Sequence, residues 1–554
     1  MTDTHNKPKR HYGERTWMAA AALIGVLTAV SFIPPFEVCG VTVRRANILS
    51  DVVQFNDSAP RVEDYDRFVT EPAPEELNLD FDSIAAEIAA AMPVESETGP
   101  DDEADPDERA GMPAPIPVSF DWRAGEAPHP QFAERFTREP AAEYTPIEDF
   151  DTTGQSPMVR ALMRLAAGQP VRIAVMGDSF VEGDILTCDL RNMLQSAFGA
   201  SDDGIGFAPM ASPLTGFRRT VKTRSTGWTS YNVMQQKRTP ELLADKYMSG
   251  GWVCSPADGA STRWEPTDYG KAAMNYASHA DIYFLSPEQS RVEVTLNDSL
   301  SRGFDVEGSP LLRRVSITAA EIASVTFRVA GSCTGFVGYG ASFSGSGVAL
   351  DNYSVRSNSG QALLRMNHSL NAQSDRFAPC DIVVLQYGLN IMQQGRFNYE
   401  SYTEQLEKYT ELMRSCFPSA AVLVMGVSDR SVKADNGRFV PMDSAEAMTA
   451  AQREAARRTG AAFWDTREAM LRSGGMTRFV ADGCAGKDYT HINYGGGARV
   501  ARALFEAIYA AAWEYRDCRP KADGDIDAVL TAEFATEIDS LMAAPRRQPE
   551  TLPR

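Results

Sequence analysis

Histidine is scarce in this chain, six residues in 554, and none of the eight cysteines stands in a Cys-x-x-Cys pair. Structural zinc sites are built from such pairs and from clustered histidines, so no metal is expected, nor any other cofactor. The body of the chain lacks a Lys/Arg block with interleaved aromatics, and Asp and Glu outnumber Lys and Arg by 74 to 54, for a net charge of −20. Nucleic-acid binding needs concentrated positive charge, so no nucleic-acid partner is expected. No protein partner is indicated either. The acidic run at 101–108 lacks the glycine-centred pattern of a calcium loop. The even set of Cys39, Cys188, Cys254, Cys333, Cys380, Cys416, Cys484 and Cys518 permits disulfides in an exported protein; free buried thiols remain equally open. The length excludes a single hydrophobic core and predicts two to four structural units.

One long uncharged stretch is present, WMAAAALIGVLTAVSFIPPF at 17–36, preceded by Lys7, Lys9, Arg10 and Arg15. A basic flank before an apolar run of this length predicts a membrane span with a cytoplasmic N-terminus. The expectation is a cytoplasmic tail at 1–16, a transmembrane anchor at 17–36 and a body across the membrane. That is the topology of a single-pass bacterial inner-membrane protein with its body in the periplasm. A cleaved signal peptide is the main alternative, but the run lacks a small-x-small cleavage site before its polar exit. Residues 37–149 are acidic and proline-rich, with Asp101-Asp102-Glu103-Ala104-Asp105-Pro106-Asp107-Glu108 as the extreme. Such a segment repels itself and has little to bury, and it reads as an extracytoplasmic spacer.

From 150 the pattern changes. An amphipathic helix is predicted from 156 to about Gly168, followed by a continuous apolar strand at 171–176. Similar apolar runs recur at 382–386, 421–427 and 461–464, with helical periodicity at 402–413, 444–458 and 497–515. Buried strands alternating with helices predict a three-layer α/β domain. Between 281 and 348 the chain instead gives short alternating runs separated by turn residues, such as RVEVTLN and SVTFRVA. These predict an all-β sandwich inserted into the α/β domain. The domain expectation is therefore a first α/β part at 150–215, the β-insert at 216–348, a second α/β part at 349–520 and a tail at 521–554.

Four short stretches carry the chemistry. Gly177-Asp178-Ser179 follows the first predicted strand, so the Ser179 hydroxyl is expected at the carboxyl edge of the sheet, where open α/β sheets place their sites. An ordinary strand–turn–helix junction is the bland alternative. In Asp488-Tyr489-Thr490-His491, an aspartate three residues before a histidine is suited to orient the ring and stabilise its charged form. Of the other histidines, His5 and His11 fall in the tail and His129 in the spacer, while His279 and His368 lack a comparably placed acid in the local sequence. A structural histidine is the alternative for His491. Asn390, in Tyr387-Gly388-Leu389-Asn390 after the 382–386 strand, offers an amide NH₂ to a developing oxyanion. Gly360, in Ser357-Asn358-Ser359-Gly360, is either a turn glycine or a backbone N–H donor to the same oxygen.

Together these stretches resemble the blocks of the SGNH/GDSL hydrolase superfamily. The resemblance implies a flavodoxin-like three-layer α/β/α core with Ser179 as nucleophile, Asp488 and His491 as acid and base, and Ser179, Gly360 and Asn390 as the oxyanion hole. Two departures stand out: Ile391 replaces the aspartate that usually follows the asparagine, and 211 residues separate Ser179 from Asn390. The inserted β-module resembles the peptidoglycan O-acetylesterase branch, in which a carbohydrate-binding-like jelly roll enters at this point. Tyr339-Gly340-Ala341-Ser342-Phe343 through Gly347-Val348-Ala349-Leu350-Asp351 resembles that branch's exit from the module. The implied activity is removal of O-acetyl groups from an envelope polysaccharide or peptidoglycan through an acyl-serine. The same triad would serve an O-acetyltransferase. A membrane-anchored glycan-binding scaffold with an inert core is the non-enzymatic alternative.

Overall fold

The computed structural model describes residues 136–518 apart from 201, 214, 268, 270–276 and 332–333, together with the short strands at 36–38, 41–43 and 116–119. The chain divides into two compact units, 1–60 and 61–554. In the first, β1 (Phe36–Val38) and β2 (Val41–Val43) pair antiparallel. Every other described element belongs to the second.

That unit opens with β3 (Ile116–Ser119), β4 (Ile147–Asp149), α1 (Pro157–Ala167), β5 (Val171–Gly177) and α2 (Thr187–Phe198). A run of strands follows: β6 (Gly206–Pro209), β7 (Val221–Asn232), β8 (Trp252–Pro266), β9 (Ala277–Ser286) and β10 (Ser290–Leu296). It continues through β11 (Leu300–Val306), β12 (Ser309–Ile322), β13 (Val325–Ala330), β14 (Val337–Ser344) and β15 (Val348–Asn352). Next come α3 (His368–Phe377), β16 (Ile382–Gln386), α4 (Glu400–Cys416), β17 (Ala421–Met425), β18 (Ser431–Lys433) and β19 (Phe439–Pro441). The unit closes with α5 (Ser444–Thr459), β20 (Ala462–Trp464), α6 (Thr466–Arg472), α7 (Gly475–Ala481) and α8 (Tyr494–Trp513).

Local sequence explains the elements that frame the site. Helix α1 starts where Ser156 Oγ accepts from Val159 N–H and Pro157 takes the first turn, and it stops at Gly168 in a left-handed conformation. Strand β5 is buried along its length except at Arg172, whose Nε donates to Asp351 Oδ2 at 2.8 Å. Each fully buried Val, Ile or Met there contributes roughly 1.5–3 kcal/mol relative to exposure. The six strands order as β15-β5-β16-β17-β20-β4, with parallel pairing up to β20 and an antiparallel edge at β4. Gln386 stands opposite Gly177 in the β5–β16 pair. Both strands therefore end at one edge, and the segments carrying Ser179 and Asn390 leave it side by side.

The larger sheet has ten strands in the order β11-β10-β13-β8-β14-β9-β12-β3, with β6 on β14 and β7 on β8. It is antiparallel except where β3 joins β12, and it curls over its own core of Ile282, Phe284, Val292, Val294, Phe327 and Val329, all buried. A fully buried charge cluster ties it to the smaller sheet. Asp184, just beyond Ser179, accepts from Arg191 Nη1 and Nη2 at 3.1 Å, Thr187 Oγ1 at 2.5 Å and Thr220 Oγ1 at 2.8 Å. Arg218 adds an ion pair at 3.6 Å.

The expected fold class needs correction. The apolar runs at 171–176, 382–386, 421–427 and 461–464 do fall on strands β5, β16, β17 and β20. The described chain as a whole, however, is a mixed, β-rich fold and not a clear three-layer α/β/α core: ten strands lie in the curled antiparallel sheet against six in the other. Nor is the β-rich part a two-sheet jelly roll, because its strands are joined in a single half-barrel-like sheet. Alternating residues mark a strand with one buried face, whether that face meets a second sheet or the curl of its own. The membrane expectation is also corrected: among the described residues no helix is long and apolar enough to cross a membrane. No described helix therefore supplies the single N-terminal anchor on which the inner-membrane and periplasmic placement is based. The 17–36 segment up to Phe36, the tails at 1–16 and 521–554, and most of the 37–149 spacer lie outside the described residues. Cys188, Cys254, Cys380, Cys416 and Cys484 are free thiols.

Candidate active site

Ser179 lies two residues beyond β5 and is 5% exposed. The turn that holds it is closed by Val181 and Glu182 N–H donating to the Asp178 carbonyl at 3.3 and 3.2 Å. Phe180 N–H adds a bond of 2.9 Å to Asp178 Oδ1. Beyond the serine a 3-10 turn at Glu182–Asp184 precedes the α-helix that starts at Thr187.

His491 reaches the same edge from the segment before α8. That segment is pinned by Gly486 N–H on the His491 carbonyl at 2.8 Å and by an isolated Ala485–Ile492 bridge. Asn493 caps the helix by accepting from Gly495 and Gly496 N–H. Asp488 Oδ1 accepts Thr490 and His491 N–H at 3.0 and 3.1 Å, and its Oδ2 lies 2.6 Å from His491 Nδ1. The carboxylate assigns the proton to Nδ1, leaving the Nε2 lone pair 3.2 Å from Ser179 Oγ. Burial works against the charged form of Asp488, yet the His491 hydrogen bond and charge, with the two backbone donors, hold its carboxyl below the usual range. Tyr489, in a left-handed conformation, stacks on Phe439 of β19 at 3.6 Å, and its carbonyl accepts Ser431 N–H at 3.1 Å. The β18–β19 hairpin thus backs the Asp488–His491 loop.

Asn390 and Gly360 also arrive at this edge, but their donors are engaged. Asn390 Nδ2 donates to Asp178 Oδ2 at 3.1 Å and to the Asn358 carbonyl at 3.0 Å. Gly360 N–H donates to Asn358 Oδ1 at 2.9 Å. Gly360 has φ +99°, and a Cβ there would lie 2.5 Å from the Tyr409 ring, so no side chain fits on either count. No hydrogen bond among the described residues takes up the Ser179 N–H.

Several residues at this edge carry no motif signal of their own. Gln386 Oε1 accepts Asp178 N–H at 3.3 Å. Glu182 pairs with Arg356 at 2.9 Å. Burial pushes the carboxyls of Asp178 and Glu182 up to about 7, against their hydrogen-bond and charge partners. His279 has no acid three residues ahead of it but does meet one two residues beyond, with Nε2 3.1 Å from Asp281 Oδ2 in β9 and 3.4 Å from Ser316 Oγ. Both contacts use the same ring nitrogen, so this second Ser/His/Asp group cannot relay a proton. No group of three or more His, Cys, Asp or Glu side chains among the described residues is placed to hold a metal.

Geometrically, Asp488, His491 and Ser179 form a continuous hydrogen-bonded chain of the kind that activates a serine for attack on a carbonyl. The fold is similar to that of a solved structure of a peptidoglycan O-acetylesterase, at 20% identity and a TM-score of 0.52, covering 65% of this chain and 97% of that one. At this identity the likeness is one of fold and selects no branch. A GDSL-like lipase from Parabacteroides merdae (14% identity, TM-score 0.24, 29% and 73% of the two chains) is too dissimilar to define a common fold. The same holds for a family two carbohydrate esterase from Cellvibrio japonicus (7%, TM-score 0.17, 46% and 85%). No protein-family model and no curated protein sequence matches the chain.

Proposed function

We propose that the chain is a serine esterase that removes acetyl groups from an O-acetylated glycan. The observation that carries this reading is the hydrogen-bonded chain Asp488 Oδ2–His491 Nδ1 at 2.6 Å and His491 Nε2–Ser179 Oγ at 3.2 Å. Support also comes from the fold likeness, since the similar structure is of an enzyme named for acting on O-acetylated peptidoglycan.

In this reading His491 Nε2 takes the Ser179 proton as Oγ bonds to the ester carbonyl carbon, and the carbonyl π electrons move onto oxygen. Ser179 N–H stabilises that oxygen directly. Asn390 joins by turning one N–H away from the Asn358 carbonyl, and Gly360 N–H joins on release from Asn358 Oδ1. As the oxyanion collapses, the sugar C–O oxygen leaves with the proton from His491. Water, deprotonated by the same imidazole, then cleaves the acyl-serine to acetate and free Ser179. The domain division at 150–215, 216–348 and 349–520 belongs to this reading, with the two outer segments supplying the site.

The test is acetate release by the full chain from a chromogenic acetyl ester and from an O-acetylated glycan, with Ser179→Ala alongside. Turnover by wild type and a loss of at least roughly a thousand-fold in the variant is the expected result. Equal release by both proteins would remove the serine mechanism.

A further inference from the structure

Tyr489 stands between the acid and the base of the site in a backbone conformation that a bulky L-residue rarely holds, with φ +55°. The chain turns back at this residue, and the turn brings Asp488 round to the histidine. Asp488 Oδ1 accepts the N–H groups of Thr490 and His491, and its Oδ2 meets His491 Nδ1, so one carboxylate makes three contacts within four residues. Inside the loop, Tyr489 N–H donates to the Gly486 carbonyl at 3.0 Å. From outside it, the β18–β19 hairpin holds Tyr489 by two contacts. Ser431 N–H donates to its carbonyl at 3.1 Å, and the Phe439 ring lies on its ring.

The hairpin is braced at both ends. Its strands pair with Phe439 opposite Lys433, and the tip is closed by Ala434 N–H on the Arg438 carbonyl and Gly437 N–H on the Ala434 carbonyl, both at 2.8 Å. Met442 N–H on the Arg430 carbonyl at 2.7 Å closes the base. Just before the hairpin, buried Asp429 accepts Met476 N–H at 2.7 Å from α7, the helix that also lies against β19. On this support Phe439 meets Tyr489 face to face, with ring centroids 3.6 Å apart and planes 8° from parallel. Both rings are half-buried. The stack fixes the plane of the Tyr489 ring and so the direction of its Cα–Cβ bond. Turning φ back to a negative value would swing that ring off Phe439.

We propose that Phe439 is a positioning residue for the acid–base pair: its ring holds Tyr489 in the left-handed conformation that keeps Asp488 on His491 Nδ1. This rests on the esterase reading for its chemistry and adds a residue that lies outside the four motif stretches. Phe439 acts through Tyr489, and no bond is made or broken at its ring. Without the stack, Tyr489 relaxes toward the conformations open to any L-residue, and Asp488 turns away from the imidazole. His491 then loses the partner that orients it, so proton transfer from Ser179 slows while ester binding is unchanged.

The experiment compares the full chain with Phe439→Leu, Phe439→Tyr and the double variant Phe439→Leu/Tyr489→Gly on a chromogenic acetyl ester. Leucine keeps the apolar bulk that preserves the hairpin but has no flat face, and tyrosine keeps the face. Glycine at 489 takes the left-handed conformation without steric cost and has no need of the stack. The expected result for Phe439→Leu is a fall in kcat of roughly ten- to a hundred-fold at nearly unchanged KM. Phe439→Tyr should retain most of the wild-type rate. The double variant should be at least about three-fold faster than Phe439→Leu alone, a second substitution restoring what the first removed. A loss in Phe439→Leu of less than about three-fold, a loss carried by KM, or the failure of either rescue would overturn the proposal. If wild type cleaves no ester, the esterase reading fails separately, and the proton NMR signal of the hydrogen-bonded His491 Nδ1–H decides Phe439. That signal is expected in wild type and Phe439→Tyr, should be lost to solvent exchange in Phe439→Leu, and should return in the double variant. Its absence from wild type, its persistence in Phe439→Leu or its failure to return overturns the proposal.

Discussion

The side-chain amide of Asn390 donates to Oδ2 of Asp178 at 3.1 Å, joining the residue that ends one site segment to the residue immediately before Ser179. Because β5 and β16 are adjacent and parallel, with Gly177 opposite Gln386, this contact spans the exits of two neighbouring strands. Asp178 is fully buried, and its other oxygen is held by Phe180 N–H. The aim of the Asn390 amide is thus set by a fully buried carboxyl.

Asn390→Ala is expected to lower kcat on a chromogenic acetyl ester by roughly 10²–10³-fold with little change in KM, the scale of losing one oxyanion donor. Asp178→Asn keeps Asn390 in place but removes one acceptor, and a smaller loss is expected. Steady-state kinetics on both variants is the check. A loss of less than about three-fold in Asn390→Ala would take this amide out of the oxyanion hole.

A pH prediction follows from the buried carboxyls. Asp178 and Glu182 have folded-state values raised to about 7, above those of an unfolded chain. Between these limits the native state binds more protons than the unfolded state, so stability falls as pH rises. Their contribution is complete below the unfolded values and lost as pH passes through about 7. The melting temperature should therefore fall between about pH 5 and pH 8, as read by calorimetry in buffers of equal ionic strength. A rise across that window would show that these carboxyls are ionised in the native protein.

Asp488→Asn should leave the His491 contact in place while reversing its polarity. An amide NH₂ placed toward Nδ1 makes that nitrogen an acceptor, so the proton moves to Nε2 and the ring cannot take the Ser179 proton. A loss in kcat of up to roughly 10⁴-fold is expected at neutral pH. Glutamate at this position, tested in parallel, should keep part of the activity if its longer side chain still reaches Nδ1.

The sequence made the site more legible than the fold. Ser179, Asn390 and His491 each follow a short, recognisable signal, and a continuous apolar run such as 382–386 has few structural alternatives inside a folded body. What local pattern leaves out is how strands close on one another: β8 pairs with β7, β13 and β14 across long stretches of chain, and alternation does not distinguish a curled sheet from a sandwich. Partnerships of polar atoms are equally hidden. Asn390 reads as a free donor until Asp178 and the Asn358 carbonyl are seen to occupy both its hydrogens, and the His279–Asp281 contact follows no motif spacing.

The Asp184 cluster gives the clearest stability prediction, because its charges have no solvent to fall back on. Asp184 and Arg191 are fully buried and Arg218 nearly so. Burial opposes ionisation of Asp184, but the two guanidiniums overcome it and hold the carboxyl well below the usual range. Asp184→Asn keeps the shape and strips the counter-charge from both arginines, an arrangement that costs about 3–5 kcal/mol when one partner of a buried pair is removed. A fall of several degrees in melting temperature is expected. Replacing Asp184, Arg191 and Arg218 together by leucine and methionine side chains should recover much of that loss, since no unpaired charge remains and the volume is roughly kept. Thermal melts of the single and triple variants decide the matter. If the triple variant is no more stable than Asp184→Asn, the cluster contributes through the geometry of its hydrogen bonds to Leu350, Phe207 and Thr220 more than through the balance of its charges.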